Sequence, residues 1–579
     1  MRSQASSIIP GSDLSWVDGA KLRTTAGLLV ASAVCWWLAM PVTAAPLPLI
    51  VVVIASFLWP GLLVRAALSA RSTWRMALLS LVTFLVPWLF MVQWIQGVSV
   101  AGWPGAALYS AAWVPLFAVL VRALAVGRWT VRVPLALSAA ALFTALEYLR
   151  GEVVLDAWPF YFAAHGVVET SLRQAASFGG VWLVSFLVVF GSVAAMSALS
   201  ARRWNRSCTV LACFLAVWIG IDLIARYATS PTPEGAGLRV LAVQTNLPQD
   251  NKLGWPVDRQ EADVNGFIMQ TLDALNEVSP VDLVLWPETM VPGLGFNPDT
   301  LAFLDTFGPA AAHLSRWPRV IEQAAADTGV PWLVGSPTWV GMSLSDEGLL
   351  QSAHRYNSAV LVDPNGAVQR YDKIFLTPFG ETMPWIRSWP WLERQLMAVG
   401  ASGMQFDLDA GDAPVRLTLQ AAGRSWTLAV PVCFEDAVPS VVRALAVEDG
   451  RTVADVIVNL SNDGWFGTDD AGRRAHEVAA IYRAVELRRP MIRVANTGFT
   501  SMISARGTVR GRIGARIEAS LPVVLPPPGE TPINTTYARW GNWFPRAMLV
   551  LVLVGFILRV VGGPARPMKG TACDTKSLG

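Results

Sequence analysis

Seven apolar stretches of spanning length run through the first part of the chain, at about 24–44, 47–68, 76–96, 103–126, 133–149, 176–199 and 207–225, and an eighth lies at about 545–561. Each approaches the ~20 residues an α-helix needs to cross the hydrocarbon core of a bilayer. The second, third and fourth carry Pro60, Pro87 and Pro115, a residue that membrane helices tolerate better than soluble ones. Val42-Thr43-Ala44 has the look of a signal cleavage site, but the run before it is long and further spans follow at once, so it is read as a span.

From residue 237 the pattern changes. Short β-rich runs at 238–243, 281–286, 332–334, 359–362, 428–432 and 456–460 alternate with amphipathic helical patterns at 257–278, 316–328, 438–448 and 471–488. Strands alternating with helices predict an α/β domain. The chain therefore divides into a seven-span membrane domain (1–228), an α/β domain (237–523), an exit linker (524–544) opening on Leu-Pro-Pro-Pro-Gly, the eighth span (545–561) and a tail (562–579). No internal repeat or low-complexity tract is evident. Two segments, 289–312 and 382–400, are apolar and turn-rich where polar loops are expected; they are read as lids, with Trp385, Trp389 and Trp391 suited to a bilayer interface.

Composition fits this division. Of 579 residues, 53% are hydrophobic and 15% charged, against about 25% charged in a soluble domain. This composition argues against an ordinary soluble enzyme and excludes a disordered chain and a disulfide scaffold, and a formal net charge of +3 is too small to suggest nucleic-acid binding. Lys21 and Arg23 precede span one, Arg65, Arg71 and Arg75 follow span two, Arg122, Arg128 and Arg132 follow span four, and Arg202, Arg203 and Arg206 follow span six, while the loops at 41–47 and 97–102 hold no Lys or Arg. The positive-inside rule then puts both termini in the cytoplasm and the α/β domain outside it. The loop after span five, with Glu147, Arg150, Glu152, Asp156, Glu169 and Arg173, has the mixed signs of an exterior loop that either touches the α/β domain or is simply solvated.

Cys35, Cys208 and Cys213 lie in spans and Cys573 in the tail, so Cys433 is the single cysteine of the α/β domain. It stands in LAVPVCFED, where a buried strand runs into a helix opening at Val438-Pro439, and strand ends are where α/β folds present reactive groups. Glu288 follows a strand in LVLWPETMVPG, and Lys373 lies just beyond a hairpin in RYDKIFLTPFGE, with Glu381 eight residues on. Carboxylate, ammonium and thiol would meet at one sheet edge. A thiol of pKa about 8.5 is mostly protonated at neutral pH and needs a base to become a nucleophile. A developing oxyanion needs a fixed positive charge and backbone N–H donors.

The order of WPE, YDK and CFED, followed by NLSNDGWFG, resembles the nitrilase, or carbon-nitrogen hydrolase, superfamily. With EYLRG and SFGGVWLVSF in the membrane half, VQTNLPQ, RYNSA, PFGE and RAVELRRPMIRVANTG beyond, and seven spans before and one after, the chain resembles the apolipoprotein N-acyltransferase family of bacterial inner membranes. That resemblance implies an α-β-β-α sandwich joined to a multi-span helical domain, with Glu288 as general base, Lys373 as oxyanion stabiliser and Cys433 as nucleophile. It also implies an oxyanion N–H from Phe434, an orienting role for Glu381, and a supporting or substrate-contacting role for Glu435. The family more often has Tyr where this chain has Phe434, and Trp255 matches the family's aromatic position after N-x-P-Q only with a shift in spacing. The substrates implied are a phospholipid acyl donor and a diacylglyceryl-modified apolipoprotein acceptor.

Two other readings stay open on the sequence. A membrane-anchored nitrilase-like amidase would use the same three residues with water as acceptor. A non-enzymatic scaffold or transporter would need functional charge within the spans or a broken triad, whereas Asp222 lies near a span end with Arg226 one turn away. No cofactor or metal is expected: His165, His313, His354 and His476 are far apart, and no C-x-x-C, H-x-x-x-H, Walker or dinucleotide motif occurs.

Overall fold

The computed structural model describes residues 22–40, 47–100, 102–125, 133–200, 204–227, 237–248, 255–382, 391, 408–527 and 533–561. Lys21, Arg128, Arg132, Arg202, Arg203, Trp385, Trp389, Cys573 and the tail lie outside the described residues, as do the side chains of Arg206, Cys208 and Arg226.

Among the described residues the apolar stretches of the membrane half are helical, because a helix satisfies its own backbone in hydrocarbon. Among the described residues five helices are long and apolar enough to cross a membrane: Leu49–Ser69, Thr73–Met91, Gly102–Ala125, Ser171–Leu199 and Trp543–Val560. Arg23–Ala39 and Ala212–Ile224 are shorter apolar helices. Leu135–Tyr148 has 14 residues and runs on into a π-helical turn, Leu149–Val153. The helix Ala176–Ser200 is broken at its start by Gly179 and by Gly180, whose φ is +72°. A Cβ on Gly180 would stand 2.9 Å from the Tyr537 ring, so both the backbone and the space demand glycine.

Among the described residues the α/β domain has fourteen strands: β1 Leu238–Gln244, β2 Leu283–Leu285, β3 Trp332–Leu344, β4 Leu350–Val362, β5 Val368–Asp372, β6 Leu417–Ala421, β7 Arg424–Ala429, β8 Val447–Glu448, β9 Arg451–Thr452, β10 Val456–Ser461, β11 Met491–Ala495, β12 Ser501–Ile503, β13 Val509–Arg512 and β14 Ala519–Leu525. They form two six-stranded sheets, ordered β14-β1-β2-β3-β4-β5 and β6-β7-β10-β11-β12-β13, and a small β8-β9 hairpin. Read in those directions the two sheets share one pattern of pairing: antiparallel, parallel, parallel, antiparallel, antiparallel. The sequence carries no visible repeat at this point, so the likeness lives in the topology alone.

Alternation along the strands sorts their side chains into layers. Leu241, Val243, Val284, Trp286, Val334 and Val360 pack with the helices Val257–Val278 and Ala312–Thr328. Val240, Ala242, Leu283, Leu285, Leu333 and Leu361 instead join Leu417, Leu419 and Leu428 of the other sheet. The helices Pro439–Ala446 and Asp470–Leu487 contribute to that same core through Val442, Leu445, Val478 and Ile481. The result is an α-β-β-α sandwich, with strands apolar on both faces because both faces are covered.

The segment 289–312 is not a lid along its first half. Met290, Val291 and Phe296 are buried in the core, and the chain is tied beneath β3 by Val291 N–H to the Gly335 carbonyl (3.1 Å) and by Trp339 N–H to the Leu294 carbonyl (3.0 Å). Of the second apolar segment, 382–400, only Thr382 and Trp391 are described, and Trp391 is exposed.

Membrane and water-facing halves are bolted together by the loop after Leu135–Tyr148. Arg173 Nε and Gln174 Nε2 both donate to the Arg506 carbonyl at 2.9 Å, and Glu169 pairs with Arg474 at 3.0 Å. Val181 N–H, freed by the glycine break, donates to Glu486 Oε1 at 2.8 Å. Aromatic rings close the seam: Trp94 meets Phe466 edge-on at 4.7 Å, and Phe160 meets Phe434 at 5.8 Å. The mixed-sign loop thus touches the α/β domain beside Cys433.

Candidate active site

Glu288 comes three residues after β2, at a turn continued by Thr289 with φ +54°. The turn presses against Gly335 of β3, where a Cβ would lie 2.5 Å from Glu288 Cα. Its carboxylate is buried and held from two sides: Oε1 accepts from Asn357 Nδ2 and Oε2 from Asn462 N–H, each at 2.7 Å.

The β4-β5 hairpin delivers Lys373 immediately after Asp372, where its own N–H donates to the Asn357 carbonyl at 2.9 Å. Its ammonium is buried and donates to Glu381 Oε2 at 2.5 Å and to Thr377 Oγ1 at 3.1 Å. Glu381 also accepts from Thr377 N–H at 2.8 Å and from Asn357 Nδ2 at 3.2 Å. Asn357 therefore bridges the two carboxylates that flank the ammonium.

Strand β7 ends at Ala429, short of the expected Val432, which keeps only an isolated bridge to Leu460. Pro431 denies the ladder a donor there. Cys433 then opens a 3₁₀ turn, Cys433–Ala437, with φ +51°, a left-handed conformation uncommon for a residue bearing a Cβ. The turn is bonded to β10: Asn459 Nδ2 donates to the carbonyls of Pro431 and Cys433, both at 3.1 Å. Asn462 N–H, the donor to Glu288, also faces the Cys433 sulfur.

Electrostatics follow from burial and neighbours. Burial pushes the Cys433 thiol well up, Glu288 and Asp463 add to this, and Lys373 opposes it. Burial draws the Lys373 ammonium down, but Glu381, Glu288 and Cys433 outweigh it and hold the proton more tightly than usual. Burial raises Glu381 and Lys373 overcomes that, leaving its carboxyl lowered. At neutral pH the site is a thiol beside a fixed ammonium, with Glu288 facing both.

Glu435 is fully buried and saturated by the protein: Oε1 accepts from Tyr371 Oη (2.8 Å), Ile374 N–H (2.8 Å) and Phe375 N–H (2.9 Å), and Oε2 from Val432 N–H (2.7 Å). Burial moves it up to about 7 against the pull of Lys373 and these donors. It pins the backbone after Lys373 to the backbone before Cys433. The Phe434 ring lies between Phe375 (6.3 Å, stacked) and Phe160.

Six of the seven singled-out residues, Glu288, Lys373, Cys433, Glu381, Phe434 and Glu435, are thus gathered at one end of the two sheets. Trp255 is not among them in these contacts: it precedes the helix Val257–Val278, and its indole N–H donates to Asp263 of that helix at 2.9 Å. Asn357, Thr377, Tyr371 and Asn462 escaped the sequence reading. Each sits inside or beside a recognised motif, but a hydrogen-bonding partner up to 174 positions away has no period to betray it.

These features define a membrane-embedded protein with a carbon-nitrogen hydrolase fold and a half-buried cysteine beside a buried carboxylate and a buried ammonium. Residues 242–521 match the Carbon-nitrogen hydrolase family, and residues 32–194 match the Apolipoprotein N-acyltransferase N-terminal domain. The apolipoprotein N-acyltransferase of Azotobacter vinelandii is 32% identical over 486 residues, covering 79% of this chain and 84% of that protein. Those of Bradyrhizobium diazoefficiens (29%, 79% of each chain) and Pseudomonas putida (30%, 73% of this chain and 74% of that protein) are also similar. Among solved structures, an amidase from Nesterenkonia sp. is similar at 18% identity and a TM-score of 0.34, covering 52% of this chain and 94% of that one. The chain belongs to the apolipoprotein N-acyltransferase family.

Proposed function

We propose that the protein transfers an acyl chain from a membrane phospholipid to the α-amino group of the diacylglyceryl-cysteine at the N-terminus of an apolipoprotein, in two steps through a thioester on Cys433. Family membership supports the reaction; the convergence of the buried Glu288 and Lys373 on the half-buried Cys433 is the observation that carries the mechanism. Glu288 accepts the thiol proton as sulfur attacks the ester carbonyl carbon. The oxyanion forms beside the Lys373 ammonium and the Phe434 N–H, charges fixed in a water-poor site where they are strongest. Collapse breaks the ester C–O bond, and the lysophospholipid oxygen leaves with the proton held by Glu288.

The acceptor amine then attacks the thioester carbon and gives a proton to Glu288. C–S cleavage leaves an amide, and the sulfur takes the proton back. Glu381 orients Lys373, and Glu435 locks the nucleophile turn to the lysine loop. The membrane half brings two lipid-anchored substrates to one plane, replacing a diffusive encounter with an oriented one. In this reading residues 1–228 and 545–561 span the bacterial inner membrane, 237–523 form the periplasmic catalytic domain, and both termini are cytoplasmic, in keeping with the arginine-rich alternate loops.

The test is product balance in vesicles holding the protein, phosphatidylethanolamine and a diacylglyceryl-cysteine peptide. Equal amounts of lysophospholipid and N-acyl peptide are expected. Lysophospholipid matched by free fatty acid, with the peptide unchanged, would overturn the transferase reading in favour of a hydrolase.

A further inference from the structure

Directly beneath the nucleophile turn lies a buried cluster that the proposed chemistry does not use. Asp436 belongs to the Cys433–Ala437 turn, Asp463 to the turn after β10, His476 to the helix Asp470–Leu487, and Arg493 to β11. None of the four is more than 1% exposed. His476 Nε2 is 2.6 Å from Asp436 Oδ1 and Nδ1 is 3.1 Å from Asp463 Oδ1. Arg493 Nη2 lies 2.8 Å from Asp463 Oδ2 and 2.7 Å from His476 Nδ1, and its Nε is 3.5 Å from Asp436 Oδ2. The rings of Phe160 and Phe466 close edge-on against the imidazole.

Charge counting sets the state of the histidine. Two carboxylates and one guanidinium leave a net negative charge in the interior, and buried charge persists only when compensated. Arg493 Nη2, a donor 2.7 Å from Nδ1, leaves the ring hydrogen on Nε2, and the two carboxylates raise the proton affinity of the imidazole. Burial opposes protonation, Asp436 and Asp463 favour it over the repulsion of Arg493, and the group is raised to about 9.

The cluster reaches Cys433 at both of its ends. His476 Nε2, shared with Asp436, lies 3.3 Å from the Cys433 carbonyl, beside the Asn459 donor. Asp463 Oδ1 accepts from Ser461 Oγ at 2.7 Å, and that hydroxyl lies 3.7 Å from the Cys433 sulfur. Cys433 needs such fixing because its left-handed φ is held by its surroundings and not by its own preference.

We infer that His476 is a positioning residue for the nucleophile: its Nε2–H donates to the Cys433 carbonyl and fixes the left-handed turn that aims the Cys433 sulfur at Glu288 and Lys373. The inference rests on the proposed role of Cys433. The membrane half bears on the same residue through Phe160, so docking of the two halves and aim of the sulfur meet at one imidazole.

Two amides separate the ends of the ring. His476→Gln places a donor where Nε2 stands, and His476→Asn places one where Nδ1 stands, near Asp463 and out of reach of the Cys433 carbonyl. In full-length protein in detergent micelles, iodoacetamide alkylation of Cys433 is followed by peptide mass, and phospholipid-dependent acylation gives kcat and KM separately. The Gln variant is expected to be alkylated and acylated about fivefold faster than the Asn variant, as for one neutral hydrogen bond, with KM unchanged. Equal alkylation of two folded variants, or a difference confined to KM, would overturn the inference. Should the single variants fail to fold, the same comparison is made with Asp436→Asn added to each, which removes one charge of each sign. Failure of all four to fold would make His476 a folding residue and also overturn it. Native protein that is alkylated but never acylated would sink the transferase reading while leaving the positioning result to stand on alkylation.

Discussion

Glu381→Gln removes a charge and almost no volume, at a point where the structure makes the charge matter. Glu381 Oε2 lies 2.5 Å from Lys373 Nζ, and the lysine side chain is wholly inaccessible. Removing one partner of a buried ion pair costs about 3–5 kcal/mol, chiefly because the other charge is left uncompensated. Gln retains a carbonyl acceptor and Glu288 still faces the lysine, so the lower end applies, about 3 kcal/mol. The freed ammonium is drawn toward Glu288, the proposed acceptor of the thiol proton. Loss of effective general-base catalysis then lowers acylation by on the order of 10²-fold.

Quench-flow intact-mass measurement of Cys433 acylation gives the rate, and unfolding in micelles gives the stability. Lys373→Met combined with Glu381→Gln leaves neither charge, so stability returns toward native while the rate does not. A Glu381→Gln protein that acylates within about threefold of native, or a double variant no more stable than the single, would refute the ion-pair reasoning.

Three further outcomes follow from particular contacts. Gly335→Ala forces a Cβ within 2.5 Å of Glu288 Cα and Thr289 N; overpacking of this kind costs about 1–3 kcal/mol, and thermal unfolding together with acylation should show both a lower melting point and a displaced base. Asn357→Ala removes the donor shared by Glu288 and Glu381 and should slow acylation by about 10-fold or more, with little change in phospholipid KM. His476 is raised from 6.5 to about 9 in the folded protein. Its contribution is therefore complete below pH 6.5 and is lost as pH rises through about 9, a change on the order of 3 kcal/mol. Denaturant titrations across that window should show the loss in the native protein and not in His476→Gln.

The sequence is most legible where one face is apolar and the period is plain. The helix Val257–Val278 coincides with its expected bounds, and Lys373 does follow a hairpin. Apolar content misleads at 289–296, where a run read as a lid is core, because β2 is only three residues long and the chain dives at once beneath β3. The letters of the proposed triad are visible in their motifs, but the bonds that hold them are not. Glu435 joins residues 374 and 375 to 432, and His476 was one of four scattered histidines until the fold set it against Asp436, Asp463 and Arg493. Such pairings are tertiary, with no spacing rule along the chain.

The most direct test of the account is the intact mass of the purified protein after incubation with phospholipid, native beside Cys433→Ala. An acyl-sized, hydroxylamine-labile adduct on the native protein alone, discharged by a diacylglyceryl-cysteine peptide with formation of an amide, is the predicted result. An adduct discharged only by water, or no adduct on folded native protein, would contradict it.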